Sequence, residues 1–255
     1  MTLLQELKIF IKHLLHWFYC FFGFSFFFFL FGAGKVTIFG KNLFLPTLSG
    51  DSFAVQIFNK VRTDLLPSEV QLVVTNPMSA FVSQVSLSIL LAFLMTLPFF
   101  IYKIVIYLQP ALHPHERKAL LWALLPFVFL FFSGCAFSYL FLVPATFEVL
   151  YPFATSIGAV TFFSLDEFVY YVSGLTVSVG AMFLLPLFMI MLSMMGIIKA
   201  EFWQSKWRHA VLLFLFLAAI ITPDGTGITM VMLFVPLALL YFAGYYFAKR
   251  LTKGV

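Results

Sequence analysis

The sequence predicts an all-α membrane protein, six transmembrane helices in a bent, concave bundle with both termini cytoplasmic. Three observations carry that expectation. Hydrophobic residues make up 63% of the chain and charged residues 10%, where a water-soluble domain carries about 25% charged residues. The apolar residues gather into segments near the ~20 residues that span a bilayer. The basic residues sit at alternating segment ends, the arrangement that sets membrane orientation.

Taken in order, the apolar segments are Leu14–Ala33, Phe81–Leu108, Ala119–Val143, Phe168–Met195, Ala210–Thr222 and Gly227–Ala248. The first exceeds the 7 to 15 or so apolar residues of a signal-peptide core and has no small-residue cleavage site, so it is expected to remain in the mature chain. The fifth is short. At 1.5 Å per residue it covers only about 20 Å of a hydrocarbon core about 30 Å thick, and crosses fully only if it begins near Trp203. No internal repeat, low-complexity linker or soluble domain interrupts the series, so residues 1–255 read as a single integral membrane domain.

Orientation follows from the cations. Eleven of them, Lys8, Lys12, Lys103, Arg117, Lys118, Lys199, Lys206, Arg208, Lys249, Arg250 and Lys253, fall on one side if the N-terminus is cytoplasmic. Only Lys35, Lys41, Lys60 and Arg62 fall opposite, all in the long first loop from Gly34 to Ala80. That loop carries turn residues, Pro46, Gly50, Asp51, Pro67, Asn76 and Pro77, around the apolar stretches Phe53–Phe58 and Val70–Val74. One or two short amphipathic helices on the outer surface are expected there. Pro98, Pro126, Pro186 and Pro236 lie inside predicted spans, where a missing N–H kinks the helix.

Net charge of +5 does not point to nucleic acid, because the cations are dispersed at segment ends rather than gathered in one patch. Cys20 and Cys135 stand in apolar runs without the spacing of a metal or redox motif and read as packing residues. His113 and His115 flank Pro114 with no third ligand, so no metal site and no cofactor is expected. All five histidines fall near cytoplasmic ends, which leaves Ser133 and Ser173 without a base at matching depth and argues against an intramembrane hydrolase. Nor does any predicted span place a carboxylate or histidine near its middle, where transporters and proton relays carry them. A solute transporter or channel is the rival reading, and it should show inverted halves or a midplane site.

Four groups of polar residues remain. Pro110-Ala-Leu-His-Pro-His-Glu-Arg-Lys118 joins spans two and three and holds Glu116. Glu6 lies in an amphipathic start, Leu3–Phe10, suited to the membrane surface. Two such carboxylates can grip arginines through charge-assisted bidentate hydrogen bonds. Thr222-Pro-Asp-Gly-Thr-Gly227 reads as a tight hairpin in which Asp224 satisfies backbone groups. Glu148, Asp166 and Glu167 take structural roles, with Asp166 placed to cap the helix beginning near Phe168.

These residues resemble the TatC family, the signal-peptide receptor subunit of the twin-arginine (Sec-independent) protein translocase. The family's first cytoplasmic loop, Pro-x-Leu followed by Glu-Arg or Glu-Lys, is similar to Pro110, Leu112, Glu116 and Arg117. Its Gly-x-x-Phe-x-Tyr, then Pro and Phe, resembles Gly134, Phe137, Tyr139, Pro144 and Phe147. Its Phe-Glu-x-Pro resembles Phe183-Leu-Leu-Pro186, its following glycine Gly196, and its Thr-Pro-x-Asp hairpin Thr222-Pro223-Asp224. Three positions depart from the pattern: the N-terminal His-Leu-x-Glu-Leu-Arg appears as Leu3-Leu-Gln-Glu-Leu-Lys8, and Leu184 and Phe242 stand where the family has glutamate.

The resemblance implies a non-enzymatic receptor that binds twin-arginine signal peptides of folded cargo. It implies recruitment of small single-span subunits of the TatA/TatB type, homo-oligomerisation within a complex, and export driven by the proton-motive force across a bacterial inner membrane rather than an organellar one. It maps Glu6 and Glu116 onto positions of twin-arginine recognition, with Lys8 and Arg117 as neighbours. Leu184 offers no hydrogen bond to a partner helix, so polar docking inside the membrane is not expected there.

Overall fold

In the computed structural model, residues 3–38, 41–47, 51–66, 71–108, 121–156, 162–222 and 227–252 are described. Among them the chain is helical, with two short two-stranded ribbons. Four helical segments are long and apolar enough to cross a membrane: Ser79–Tyr107, Leu124–Pro152, Leu165–Met194 and Ile228–Leu251. Two shorter apolar stretches, Leu14–Leu30 and Trp207–Ile221, reach about 26 and 22 Å at 1.5 Å per residue. The chain divides into two compact units, Met1–Pro110 with Thr161–Ser173, and Ala111–Val160 with Gly174–Val255.

In the first unit, α1 (Leu3–Leu30) packs along α3 (Ser79–Leu108). Trp17 is buried in that seam, with its ring 4.5 Å from Phe100 and 5.3 Å from Phe21. A glutamine in an apolar helix has to find partners. Gln84 of α3 does so by donating to the Phe29 carbonyl at 3.3 Å and the Ser52 hydroxyl at 2.8 Å. Ser52 in turn caps α2 (Phe53–Leu65) by accepting from Val55 N–H. One amide therefore ties the end of α1, the start of α2 and the body of α3 together.

The long first loop contains the expected amphipathic helix as α2, which buries Ala54 and Leu65 and exposes Asn59, Lys60, Arg62 and Thr63. It also contains an antiparallel hairpin absent from the sequence expectation, β1 (Gly32–Ile38) with β2 (Lys41–Thr47). Val36, Thr37 and Ile38 are β-branched and favour the extended backbone. A third strand, β3 (Gln71–Val73), pairs in parallel with β4 (Phe162–Ser164). The Thr75 and Ser164 hydroxyls meet at 3.1 Å beside that ribbon, and Ser164 also donates to the Asp166 carboxylate. Asp166 and Glu167 lie in the first turn of α6 (Leu165–Phe183), where negative charge complements the helix dipole.

In the second unit, α4 (Leu124–Phe137) passes through a π turn at Ser138–Leu142 into α5 (Val143–Ser156). The cause is Pro144, whose ring would strike the carbonyl of residue 140 in a regular helix and which has no N–H to donate. Widening the turn, with Val143 N–H bonded to Ser138 O, absorbs the mismatch without ending the helix. The next span breaks at Leu184, between α6 and α7 (Leu185–Met194), and Pro186 opens the new helix. Gly196, at φ +71°, closes α7: Ile197 N–H reaches back to Leu192 O at 3.1 Å, a Schellman-type cap that needs a left-handed residue. The chain continues through α8 (Ala200–Ser205), α9 (Trp207–Ile221) and α10 (Ile228–Thr252).

Where lipid is the solvent, helices associate by close approach of small residues rather than by the hydrophobic effect. A Cβ on Gly134 would lie 2.9 Å from the Gly180 Cα and 2.8 Å from the Phe183 ring, and one on Gly180 would lie 2.7 Å from Cys135 Sγ. Gly244 of α10 fits equally tightly over Pro186, with a Cβ there only 2.8 Å from its Cα. Gly174 has open space around it. Gly180→Val is therefore expected to cost about 1–3 kcal/mol of stability, measured by reversible unfolding in mixed micelles, while Gly174→Ala leaves stability unchanged or slightly raised.

Candidate functional site

Glu6 and Lys8 fall within α1. Glu116 and Arg117, with Pro110 and Leu112, lie outside the described residues, as do Pro223 and Asp224. Of the other motif residues, Gly134, Phe183 and Pro186 are buried, and the Phe137 and Phe183 rings stack 5.6 Å apart. Tyr139 lies in the π turn and Pro144 two residues after its end. Thr222 is buried at the end of α9, where its N–H and hydroxyl both reach the Ala218 carbonyl, at 2.9 and 2.8 Å. These residues shape the helices of the second unit: a close crossing, a widened turn, a break and a cap.

Acidic and basic side chains in the four long apolar segments keep to the ends. Lys103 stands near the end of the first, Glu148 near the end of the second, Asp166 and Glu167 at the start of the third, and Lys249 and Arg250 at the end of the fourth. No set of three metal-ligating side chains occurs among the described residues. Cys135 is buried against the Thr176 carbonyl, with Sγ 3.6 Å away, which makes it part of the Gly134–Gly180 crossing. Leu184, at the family's glutamate position, is 6% exposed.

The structure also assembles a group of side chains that the sequence left scattered. Trp203 and Gln204 of α8, Trp207 of α9, and Tyr241, Phe242 and Tyr245 of α10 line a groove of about 290 Å³. Three of its lining side chains bond their polar atoms within the protein. Trp203 Nε1 donates to the Ser193 hydroxyl at 2.9 Å, Tyr241 OH to the Trp203 carbonyl at 2.6 Å, and Tyr245 OH to Gln204 Oε1 at 2.7 Å. Lys249 Nζ donates to Tyr245 OH at 3.1 Å and lies 5.6 Å from that ring. The Arg208 guanidinium sits 5.7 Å from the Trp207 ring. With the hydroxyls and the indole N–H satisfied, the groove presents almost pure aromatic surface beneath two cations. The legible signal was spacing: Tyr241, Tyr245 and Lys249 recur every four residues on one stripe of α10.

Residues 3–236 match the family model described as Sec-independent protein translocase protein (TatC). A TatC of Cenarchaeum symbiosum is 34% identical over 86% of this chain and 84% of that protein. Another from Aquifex aeolicus is 28% identical over 79% and 84%, and the chloroplastic TATC of Pisum sativum is 34% identical over 60% of this chain and 43% of that protein. A crystal structure of a twin-arginine translocase receptor, TatC, superposes with a TM-score of 0.73 over 96% of this chain and 98% of that one, at 24% identity, and so supports the fold.

Removing the Tyr241 hydroxyl leaves the Trp203 carbonyl without its 2.6 Å partner. Tyr241→Phe is expected to lower stability by about 0.5–1.5 kcal/mol, the range of interhelical hydrogen bonds in lipid. Equilibrium unfolding in mixed micelles measures it, and unchanged stability would show that the bond contributes nothing to the α8–α10 contact.

Proposed function

Because the chain belongs to the TatC family of Sec-independent protein translocase subunits, non-enzymatic membrane components of protein transport, we propose that it is the receptor that binds twin-arginine signal peptides. The observation that carries this reading is the distribution of charge. The long apolar segments confine their charged groups to their ends, which gives a proton relay or solute path no charged residue at depth to work with. Recognition chemistry is then left to the polar segments outside the bilayer, where Glu6 and Glu116 stand at positions that match the family's motif.

On this reading the six apolar helices all cross, including the two shorter ones, and both termini face the cytoplasm. The guanidinium groups of the signal peptide meet Glu6 and Glu116, each a planar fork against a planar carboxylate. Arg117 and Lys8, their sequence neighbours, offset the negative charge while the site is empty. Lysine cannot replace arginine without loss, since an ammonium makes no bidentate pair. Small single-span subunits of the TatA/TatB type and further copies of the chain complete the complex in a bacterial inner membrane, and the proton-motive force drives export of folded cargo. Leu184 and Phe242, where the family has glutamate, offer a partner helix no polar contact.

Glu116→Ala is expected to abolish or strongly reduce export of a folded reporter carrying a twin-arginine signal while leaving the protein inserted at normal abundance. Export assays with membrane fractionation read both quantities. Normal export by an inserted Glu116→Ala protein would remove Glu116 from the site.

A further inference from the structure

The aromatic groove between α8, α9 and α10 takes no part in the proposed peptide site, and its chemistry is that of an amphiphile's socket. The geometry points to a binding site for one anionic phospholipid, with an acyl chain laid along Trp203, Trp207, Tyr241 and Phe242 and the phosphate held by Lys249 and Arg208. The groove is about 290 Å³, room for part of one chain rather than a packed helix. Its surface is apolar because the Tyr241, Tyr245 and Trp203 polar atoms are bonded into the protein.

Charge complementarity chooses the headgroup. Lys249 Nζ lies off the hydroxyl edge of Tyr245, and the Arg208 guanidinium lies 5.7 Å from the Trp207 ring, so a cation stands beside each of two lining residues. Lys249 spends one of its three donors on Tyr245, leaving two for a phosphate, and Arg208 presents a planar fork suited to the same anion. Neither cation lines the groove itself: each stands at its rim beside a lining ring, and Glu201 of α8 is exposed. Trp and Tyr beside Lys and Arg at a span end are the composition of a membrane–water boundary, and each cation near an anionic leaflet adds attraction for its lipids.

The test uses brominated phospholipids, whose acyl chains quench nearby tryptophan. The chain has four Trp residues, so Trp17→Phe with Trp122→Phe leaves Trp203 and Trp207 as reporters. In nanodiscs, bromophosphatidylglycerol is expected to quench them with an apparent affinity on the order of tenfold above that of bromophosphatidylcholine. Lys249→Gln with Arg208→Gln should abolish that preference while leaving non-selective quenching. Equal quenching by the two lipids, a preference that survives the double substitution, or no quenching by either, as when a polypeptide fills the groove, would overturn the proposal. Native mass spectrometry of the unsubstituted chain gives a second reading: an anionic phospholipid should be retained and should be lost in Lys249→Gln/Arg208→Gln, and no retained lipid would count against the site.

Discussion

Hydrocarbon neither hydrogen-bonds the backbone nor drives apolar surfaces together, and that double constraint orders the described structure. Stability has to come from shape and from polar groups that satisfy one another. The Gly134–Gly180 crossing supplies the first, bringing two helix backbones so close that no Cβ fits between them. The Gln84 amide supplies the second, holding three elements through two hydrogen bonds. Prolines inside spans follow the same constraint: Pro144 is absorbed by a π turn and Pro186 by a helix break, and Gly244 gives up its side chain so that α10 can pass over Pro186.

Much of this was legible in the sequence because lipid immersion writes a long, one-dimensional signal. The four long apolar helices, the short apolar helix before Thr222 and the amphipathic α2 all follow from segment length and polarity. The β1–β2 hairpin was not legible. Its alternation is brief, broken by Gly32, Gly34 and Pro46, and set in a loop whose Gly and Pro residues read as turns. The start of the short apolar helix at Trp207 was hidden because α8 and α9 are separated at Lys206 without a proline or glycine. The groove escaped notice for another reason: in a chain with 37 Phe residues, aromatic stripes read as packing until α8 and α10 are brought together. Glu6 and Glu116 are legible as carboxylates outside the spans, but their pairing rests on the family pattern, since they come from segments 110 residues apart in the numbering.

Family membership and charge placement converge on one division of labour. The apolar helices carry no charge at depth among the described residues, and on the proposed reading chemical selectivity belongs to short polar segments at their ends. The two positions where the family's glutamates are absent fit that division. Leu184 is buried at the joint of α6 and α7, and Phe242 lines the aromatic groove, so both lie on apolar surface rather than in a polar network. On the proposed reading, contacts made there are governed by fit and by lipid, while the contacts that read a peptide sequence are governed by carboxylate geometry.

Site-specific photo-crosslinking from positions 6 and 116 to a twin-arginine signal peptide, compared with the same peptide carrying twin lysine, tests the receptor assignment most directly. Crosslinks from both positions that are lost with twin lysine are the predicted result. Crosslinks that form equally with both peptides, or with neither, would contradict a site built on paired carboxylates.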